Sequence, residues 1–553
     1  MKRRLALIVA LVMVALSAFA LLTACSNLTE CEKNGHQYNQ TTGICSVCGL
    51  KDPAFKTECE KNGHKYDDKT GICSVCNQKD PDFKTECERN GHKYVDGVCS
   101  VCNNNISSND NANDKVITFI SSQGDTLQKL TKLAIDEFEA KYPGWTVDHQ
   151  TAGGWSDVQP KITGLLQAND QPDLAYCYPD HVANYLASGK VVDLNKYNAT
   201  KDTLQFGNGE PIRIGWTEKE LADFEEIFWN EGLAKNFAGY AAYGYSDSAM
   251  FTIPLMKSTE VLYYNKTALD AAGITKLPET WDELWEICAQ LLAKYPKCTP
   301  LGYDSEANWL ITMCAQNGWG YTTAAGGDQD HYLFNNAGVK EWLQDIQGKH
   351  MIDKYFTTQE IYGGYTSTLF TTGVADNAAG CVFCIGSSGG ASYQSTNKFE
   401  VGAAHIPGSY NERTGKVNST AISQGPSLVM FHSDKASNAD EKEYMTYLFV
   451  KELLDVEEQV ALCMDSGYNP VRKSAYDNEV YKKWLDEGKT LIAKVAAVGR
   501  TMSQNKEFFT SPAFVGSSTA RNVVGDMIVS ILKGSDITKE VEDAIKACGG
   551  KLD

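Results

Sequence analysis

The pattern of apolar and polar positions changes character several times along the chain. Residues 5–22 form a nearly unbroken apolar run behind the basic start Met1-Lys2-Arg3-Arg4. Residues 31–102 carry neither a helical nor a strand period but repeat every 28 residues, with copies starting at Cys31, Cys59 and Cys87. The stretch 103–114, NNNISSNDNAND, is polar throughout and reads as a flexible linker. From Lys115 strands and helices alternate. VITFIS (116–121) reads as a buried strand, and 125–142 places Leu127, Leu130, Ala134 and Phe138 on one helical stripe that stops at Pro143-Gly144. TVDHQ (146–150) reads as a second strand and EVLYYN (260–265) as a buried one. Thr280 is an N-cap, and Glu283 completes a capping box for a helix over 281–295. Alternation of this kind predicts an open, mainly parallel sheet with helices on both faces. Ligands of such folds lie beyond the carboxyl ends of the strands.

Composition narrows the class. A chain of 553 residues exceeds one ordinary domain. Its net charge of −19 and lack of a basic cluster exclude nucleic acid as the expected partner. The apolar run ends in Leu22-Thr23-Ala24-Cys25, which resembles the bacterial lipobox. That resemblance implies a signal peptide over 1–24, removed before Cys25, and a lipidated N-terminus over 25–30 with diacylglycerol on the Cys25 sulfur. The acyl chains would hold the protein at the outer face of the cell membrane. An uncleaved signal anchor is the alternative, since the run is long enough to span.

The repeats carry the clearest chemistry. Each copy (31–58, 59–86 and 87–105) reads Cys-x4-His, then Cys-x2-Cys. The ligand sets are Cys31, His36, Cys45 and Cys48; Cys59, His64, Cys73 and Cys76; and Cys87, His92, Cys99 and Cys102. Three thiolates and an imidazole form a closed tetrahedral set of the kind found in structural zinc sites. Gly49, Asn77 or Asn103 follows each Cys-x2-Cys, and those residue types tolerate a left-handed turn. Disulfides are the competing reading outside the cytoplasm. The region's nine cysteines, three per copy, leave one over in any pairing, and disulfides give the repeated histidine no part.

The segment 253–284 contains Pro254, Ser258, Thr259, Leu262, Tyr263, Tyr264, Asn265, Lys266, Pro278, Thr280, Trp281, Glu283 and Leu284. With FTTGVADNAAGCVFCIGSSGG, VGAAHIPG, GPSLVMF and GYNPVRKSAY, it resembles the extracytoplasmic solute-binding receptors of ABC sugar importers, solute-binding family 1. The resemblance covers almost all of 115–553, and the glycerol-3-phosphate-binding type is the nearest subfamily. It implies an α/β, two-lobed, type II periplasmic-binding-protein-like fold with a hinge and discontinuous lobes. Lobe 1 is expected over about 115–253 and 400–455, lobe 2 over about 254–399 and 456–553, after a linker at 106–114. By position the resemblance implies ligand contacts from Trp155, Asp180, Ser258, Trp309, Ser387, Ser388, Gly425 and Tyr468. Tyr263, Tyr264 and Trp281 read instead as core packing, the usual role of aromatic side chains.

Aromatic faces with a carboxylate and hydroxyls suit a carbohydrate. The subfamily's late arginine aligns with Phe514, which points away from a phosphate ester. The GSSGGAS loop (386–392) would offer an anion nest if it opens a helix. Cys381 and Cys384 read as buried packing residues, and Arg472 and Lys473 as solvated surface charges.

The leading expectation is a lipid-anchored, monomeric, non-catalytic receptor passing a sugar or oligosaccharide to an ABC permease. It needs no cofactor in the solute-binding domain. A glycerol-3-phosphate or other small-solute receptor is the alternative within the fold. A glycan-degrading enzyme, whose two carboxylates leave no local signature, and a metal-handling lipoprotein are the alternatives of other classes.

Overall fold

The computed structural model describes residues 35–40, 42–56, 58–95, 98–103, 112–122, 125–206, 209–325, 331–412 and 414–552. The signal peptide, Cys25, Cys31 and most of the expected linker lie outside these residues. No helix among the described residues is long and apolar enough to cross a membrane. The chain divides into two compact units, 1–92 and 93–553.

In the smaller unit the described copies share one small knuckle. Bridges pair Tyr38 with Cys45 and Ile44 with Lys51 in the first, and Tyr66 with Cys73 and Ile72 with Lys79 in the second. The aromatic residue that follows each knuckle folds back over a glycine. A Cβ on Gly43 would come within 2.2 Å of the Phe55 ring, and one on Gly71 within 2.1 Å of Phe83. Both glycines also have positive φ, so no other residue fits there.

The larger unit starts earlier than position 115. Strand Lys93–Val95 pairs antiparallel with Val98–Cys99 and parallel with Thr203–Gln205. Tyr94 is buried, its ring tilted against that of Tyr444 at 6.0 Å. The end of the third repeat is therefore hydrogen-bonded into the large unit, because a short hairpin satisfies its edge by joining another strand.

Two five-stranded sheets carry the lobes. In the first, Val116–Ser121 lies parallel to both Thr146–Thr151 and Leu174–Cys177, and Ser427–Met430 runs antiparallel between Leu174–Cys177 and Ile253–Pro254. In the second, Leu301–Tyr303 is parallel to Phe356–Thr358 and Phe383–Ser387, and Glu260–Asn265 runs antiparallel between Phe383–Ser387 and Val401–Ala404. Strand Val401–Ala404 thus belongs to the second sheet, and the return to lobe 1 comes after it rather than at 400. Helices Ala439–Leu453 and Val456–Ser466 both pack on Asp125–Lys141 of the first lobe, and Val456–Ser466 also packs on Leu491–Asn505 beside the second sheet. Helix Asp125–Lys141 and the Thr280-capped helix Trp281–Lys294 form where the apolar stripe and the capping box predict them.

Three chain segments cross between the lobes side by side. Ser258 and Gln424 exchange backbone hydrogen bonds of 2.9 and 2.8 Å, and Lys257 and Asn469 exchange bonds of 3.0 and 2.6 Å. Gly425 has φ +95°, and a Cβ there would lie 2.6 Å from the Met256 carbonyl. Beneath the crossing, the Lys257 ammonium meets the Glu231 carboxylate with side chains only 2% and 5% exposed. The Ser423 hydroxyl donates to Glu231 at 2.6 Å, and Lys257 donates to Ser427 Oγ at 3.3 Å.

Removing one member of such a pair strands a buried charge. Lys257→Met is expected to cost about 3–5 kcal/mol in urea unfolding, and Lys257→Met with Glu231→Leu clearly less. Equal losses in the single and double variants would show that the pair is not the source of the stability.

Candidate functional site

The carboxyl ends of both sheets face one region. Strand Leu174–Cys177 ends in Tyr178, which N-caps helix Pro179–Tyr185 and so sets Asp180 in its first turn. Helix Trp155–Gln167 begins after Thr146–Thr151, and Asp157 accepts the Gly154 amide at 2.7 Å, which fixes the turn that presents Trp155. The half-buried Trp155 ring stacks on Tyr176 at 5.9 Å and 12°, and meets Tyr178 at 5.1 Å. The result is an aromatic platform backed by a second ring.

Asp180 is only 8% exposed, and its Oδ1 has no hydrogen-bond partner. Its Oδ2 lies 3.6 Å from Arg521 Nε of helix Ser517–Leu532, which packs in the second lobe. Arg521 also donates to Asn308 Oδ1 at 2.5 Å. Asn184 donates to Ser518 Oγ at 3.5 Å beside this pair, so the two lobes touch here through polar groups. The half-buried Tyr178 and the buried Tyr321 lie within electrostatic reach of Arg521 and Asp180, and desolvation pushes both hydroxyls well above their ordinary range.

Tyr468, at the third crossing segment, has its ring against Gly389, where a Cβ would come within 2.6 Å of it. Ser387 ends strand Phe383–Ser387 and is exposed. Ser388 is buried, donating its amide to the Thr259 carbonyl at 2.7 Å and accepting the Thr259 amide on Oγ at 3.2 Å. The Gly389 amide is taken by Ser387 Oγ at 3.2 Å, and Ser388–Gln394 is a 3-10 helix. With these two amides occupied, the loop is not the open anion nest that its composition suggested.

Of the predicted contacts, Trp155, Asp180, Ser387, Ser388 and Tyr468 gather here, with Ser258 and Gly425 at the adjoining crossing. For Ser258 and Gly425 the backbone pairing and the close approach of the strands account for the residue type. Trp309 is elsewhere. It is fully buried, stacked on Tyr303 at 4.6 Å and edge-on to Trp342 and Phe356, because the inward face of its helix is the aromatic core of lobe 2. Its neighbour Asn308 takes the site position.

Phe514 stacks on His331 at 4.3 Å as a packing residue, and the arginine of this region is Arg521, beside Asp180. The argument against an anionic solute from Phe514 therefore lapses. Arg521 is the sole charged residue in an otherwise small and uncharged half-helix, SSTARNVV, and that contrast was the available signal. Tyr365 and Tyr393, 66% and 75% exposed, add rings on the second lobe. Tyr365 is within electrostatic reach of Tyr178.

Arg472 is also reassigned. It is buried, bonded to Asp223 at 2.7 Å and held over the Trp216 and Phe224 rings at 5.1 and 4.9 Å, whereas Lys473 is exposed. Tyr263, Tyr264 and Trp281 serve as packing: Tyr263 donates to the Ser387 carbonyl at 2.8 Å and Trp281 to Gln316 Oε1 at 2.9 Å. Cys381 and Cys384 are buried, and burial pushes both thiols up, which disfavours a reactive thiolate.

Glu260 opens the strand next to Ser388 and is 1% exposed. Tyr303 donates to its Oε2 at 2.7 Å, while Oε1 has no partner. Burial raises its carboxyl to about 8, and the pull of the Tyr303 bond and of Arg521 does not offset it.

The Cys/His residues come together in groups that could hold a metal ion. Cys59, His64, Cys73 and Cys76 present ligand atoms all within 4.8 Å of one another, and so do His36, Cys45 and Cys48. In the third set Cys87 lies buried on helix Glu86–Asn90 and Cys99 buried on strand Val98–Cys99, while Cys102 is exposed.

Residues 134–486, well over half of the chain, match the profile of a family described as bacterial extracellular solute-binding protein. Among curated proteins, the sn-glycerol-3-phosphate-binding periplasmic protein of Brucella abortus (strain 2308) is 26% identical over 322 residues, 55% of this chain and 68% of that protein. Its counterpart in Yersinia pestis bv. Antiqua (strain Antiqua) is 24% identical over 393 residues, 69% of this chain and 79% of that protein. Among solved structures, the Mycobacterium tuberculosis UgpB complex with glycerophosphocholine covers 78% of this chain and 97% of its own at a TM-score of 0.60 and 18% identity. A maltose-bound T. maritima MalE3 gives a TM-score of 0.56 at 17% identity, covering 78% and 97%. These structural likenesses establish the two-lobed fold.

The Glu260 carboxyl, unfolded, ionises near its ordinary 4.5, and in the fold near 8. Between those values the folded state holds the extra proton, so this residue's contribution to stability falls as pH rises through the window and levels off above it. Glu260→Gln is expected to flatten the decline of the urea midpoint between about pH 5 and pH 8. Parallel profiles for the two proteins would sink the assignment.

Proposed function

The chain belongs to the bacterial extracellular solute-binding protein family, and we propose that it is a carbohydrate receptor for an ABC importer. In this reading the solute enters between the lobes and rests on the Trp155–Tyr176–Tyr178 platform. The observation that carries it is the meeting of that platform with the interlobe pair Asp180–Arg521. Rings cover the C–H faces of a sugar, while a carboxylate and a guanidinium bind its hydroxyls and reject analogues that lack them. Both the binding and the closure are noncovalent, and no cofactor is required. The receptor is read as monomeric, held at the outer face of the membrane by lipid on Cys25 and handing solute to the permease. A metal in the Cys/His sets would be structural.

A second reading within the fold has its own support. Arg521 gives the site a cation suited to a phosphate oxygen, and relatives such as the Brucella protein are described as binding sn-glycerol-3-phosphate. Asp180 already pairs with Arg521, which favours a neutral solute over an anion.

Mass spectrometry of solute released from gently denatured protein, with a thermal-shift panel, separates these readings. A sugar or oligosaccharide is expected to raise the melting temperature and to return chemically unchanged. Trp155→Ala should weaken its binding roughly tenfold or more, equivalent to about 1.4 kcal/mol. A response confined to glycerophosphates, abolished by Arg521→Gln, would establish the second reading. Shifts only with peptides or amino acids would overturn both, and a cleaved oligosaccharide would make the protein an enzyme.

A further inference from the structure

We propose that Cys59, His64, Cys73 and Cys76 bind one zinc ion in a tetrahedral site. Neither the fold of the large unit nor the solute it binds enters this inference. It rests on the geometry of the second repeat, where all four ligands are described, and on its recurrence in the first.

The distances are those of a tetrahedron around a metal. With Zn–S near ~2.3 Å and Zn–N near ~2.0–2.1 Å, two thiolates stand about 3.8 Å apart, and a thiolate and an imidazole nitrogen about 3.6 Å. Cys59 Sγ lies 3.6 Å from Cys73 Sγ, and His64 Nδ1 lies 3.2 Å from Cys76 Sγ. All four ligand atoms lie within 4.8 Å of one another. A disulfide requires about 2.05 Å between sulfurs. The 3.6 Å between Cys59 and Cys73 is therefore too long for a bond and fits the edge of a tetrahedron around a shared metal.

The backbone is shaped to hold that geometry. Asn77 turns left-handed with φ 58°, and its amide closes on the Cys73 carbonyl at 2.9 Å, which wraps the Cys73–Cys76 pair round one point. The His64 ring stacks on Tyr66 at 5.2 Å and 12°, which sets the imidazole orientation. In the first repeat Gly49 makes the same closure on Cys45 at 2.9 Å, His36 stacks on Tyr38 at 5.3 Å, and His36 Nδ1 lies 3.2 Å from Cys48 Sγ. The equivalent of Cys59 there is Cys31, outside the described residues. The third repeat keeps the ligand order in Cys87, His92, Cys99 and Cys102.

The zinc would be structural. Each repeat is too short to bury a core of its own, and in such units metal binding supplies the folding free energy. The ligand set is complete with four protein groups and leaves no position for substrate.

The test uses the full chain purified under reducing conditions. Zinc measured against protein should give at least one ion per chain, held by the set of the second repeat. Cys73→Ser should lose that ion. Replacement by cobalt should give the strong visible bands of a tetrahedral thiolate site, and Cys76→His should shift those bands while keeping the metal. The cobalt spectrum of the unmodified chain decides the matter even if Cys73→Ser misfolds. Alkylation-resistant, disulfide-linked Cys59 or Cys73 peptides in metal-free protein would overturn the proposal. So would zinc content that Cys73→Ser leaves unchanged in a folded protein.

Discussion

The large unit depends on a buried charge at the point where its lobes join. Lys257 sits on the first crossing segment, its backbone tied to Asn469 of the third and its ammonium to Glu231 beneath. A charge with 2% exposure persists only where a partner is guaranteed. That requirement fixes the position of Glu231, and Ser423 and Ser427 then fill the remaining bonding capacity of the pair. Gly425 follows from the same crowding, since the crossing strands approach too closely for a side chain. Lobe movement must therefore occur by small torsions in segments whose relative register is pinned.

Next to that fixed strip, the facing strand ends hold polar groups whose bonding is incomplete. Asp180 Oδ1 and Glu260 Oε1 are buried without partners, and Arg521 spans the lobes between Asp180 and Asn308. A buried acceptor left unmade is costly, and a solute hydroxyl placed there would relieve that cost. The rigid hinge and the under-bonded site are complementary: one sets where the lobes can go, the other favours a state with something between them.

Much of the fold was legible because its signals are local. The apolar stripe of 125–142, the Thr280–Glu283 capping box and the EVLYYN strand each depend on residues within one element. The knuckle turns at Gly49 and Asn77 were legible for the same reason, as left-handed positions ask for particular residue types. Pairings distant in sequence were less so. Nothing near Val401–Ala404 says which sheet it joins, and nothing in the third repeat says that Lys93–Val95 pairs with Thr203–Gln205. The site shows the same division. Trp155 and Asp180 follow strand ends that the pattern marks. Trp309 and Asn308 are adjacent on one helix, and only the packing of that helix decides which faces the core. Arg472 looked like a surface charge until Trp216 and Phe224 were seen to enclose it.

The placement of strand Ser427–Met430 bears on the order in which the protein can be built. It lies between Leu174–Cys177 and Ile253–Pro254, so the first sheet is closed by a piece made long after its neighbours. A chain leaving a membrane pore N-terminus first therefore exposes the other four strands with a vacant slot among them. Until Met430 is through, the lobe has no complete sheet to pull against the pore, and contacts of such long sequence separation form slowly. The interleaved topology leaves the sheet of the first lobe incomplete until most of the chain has been made.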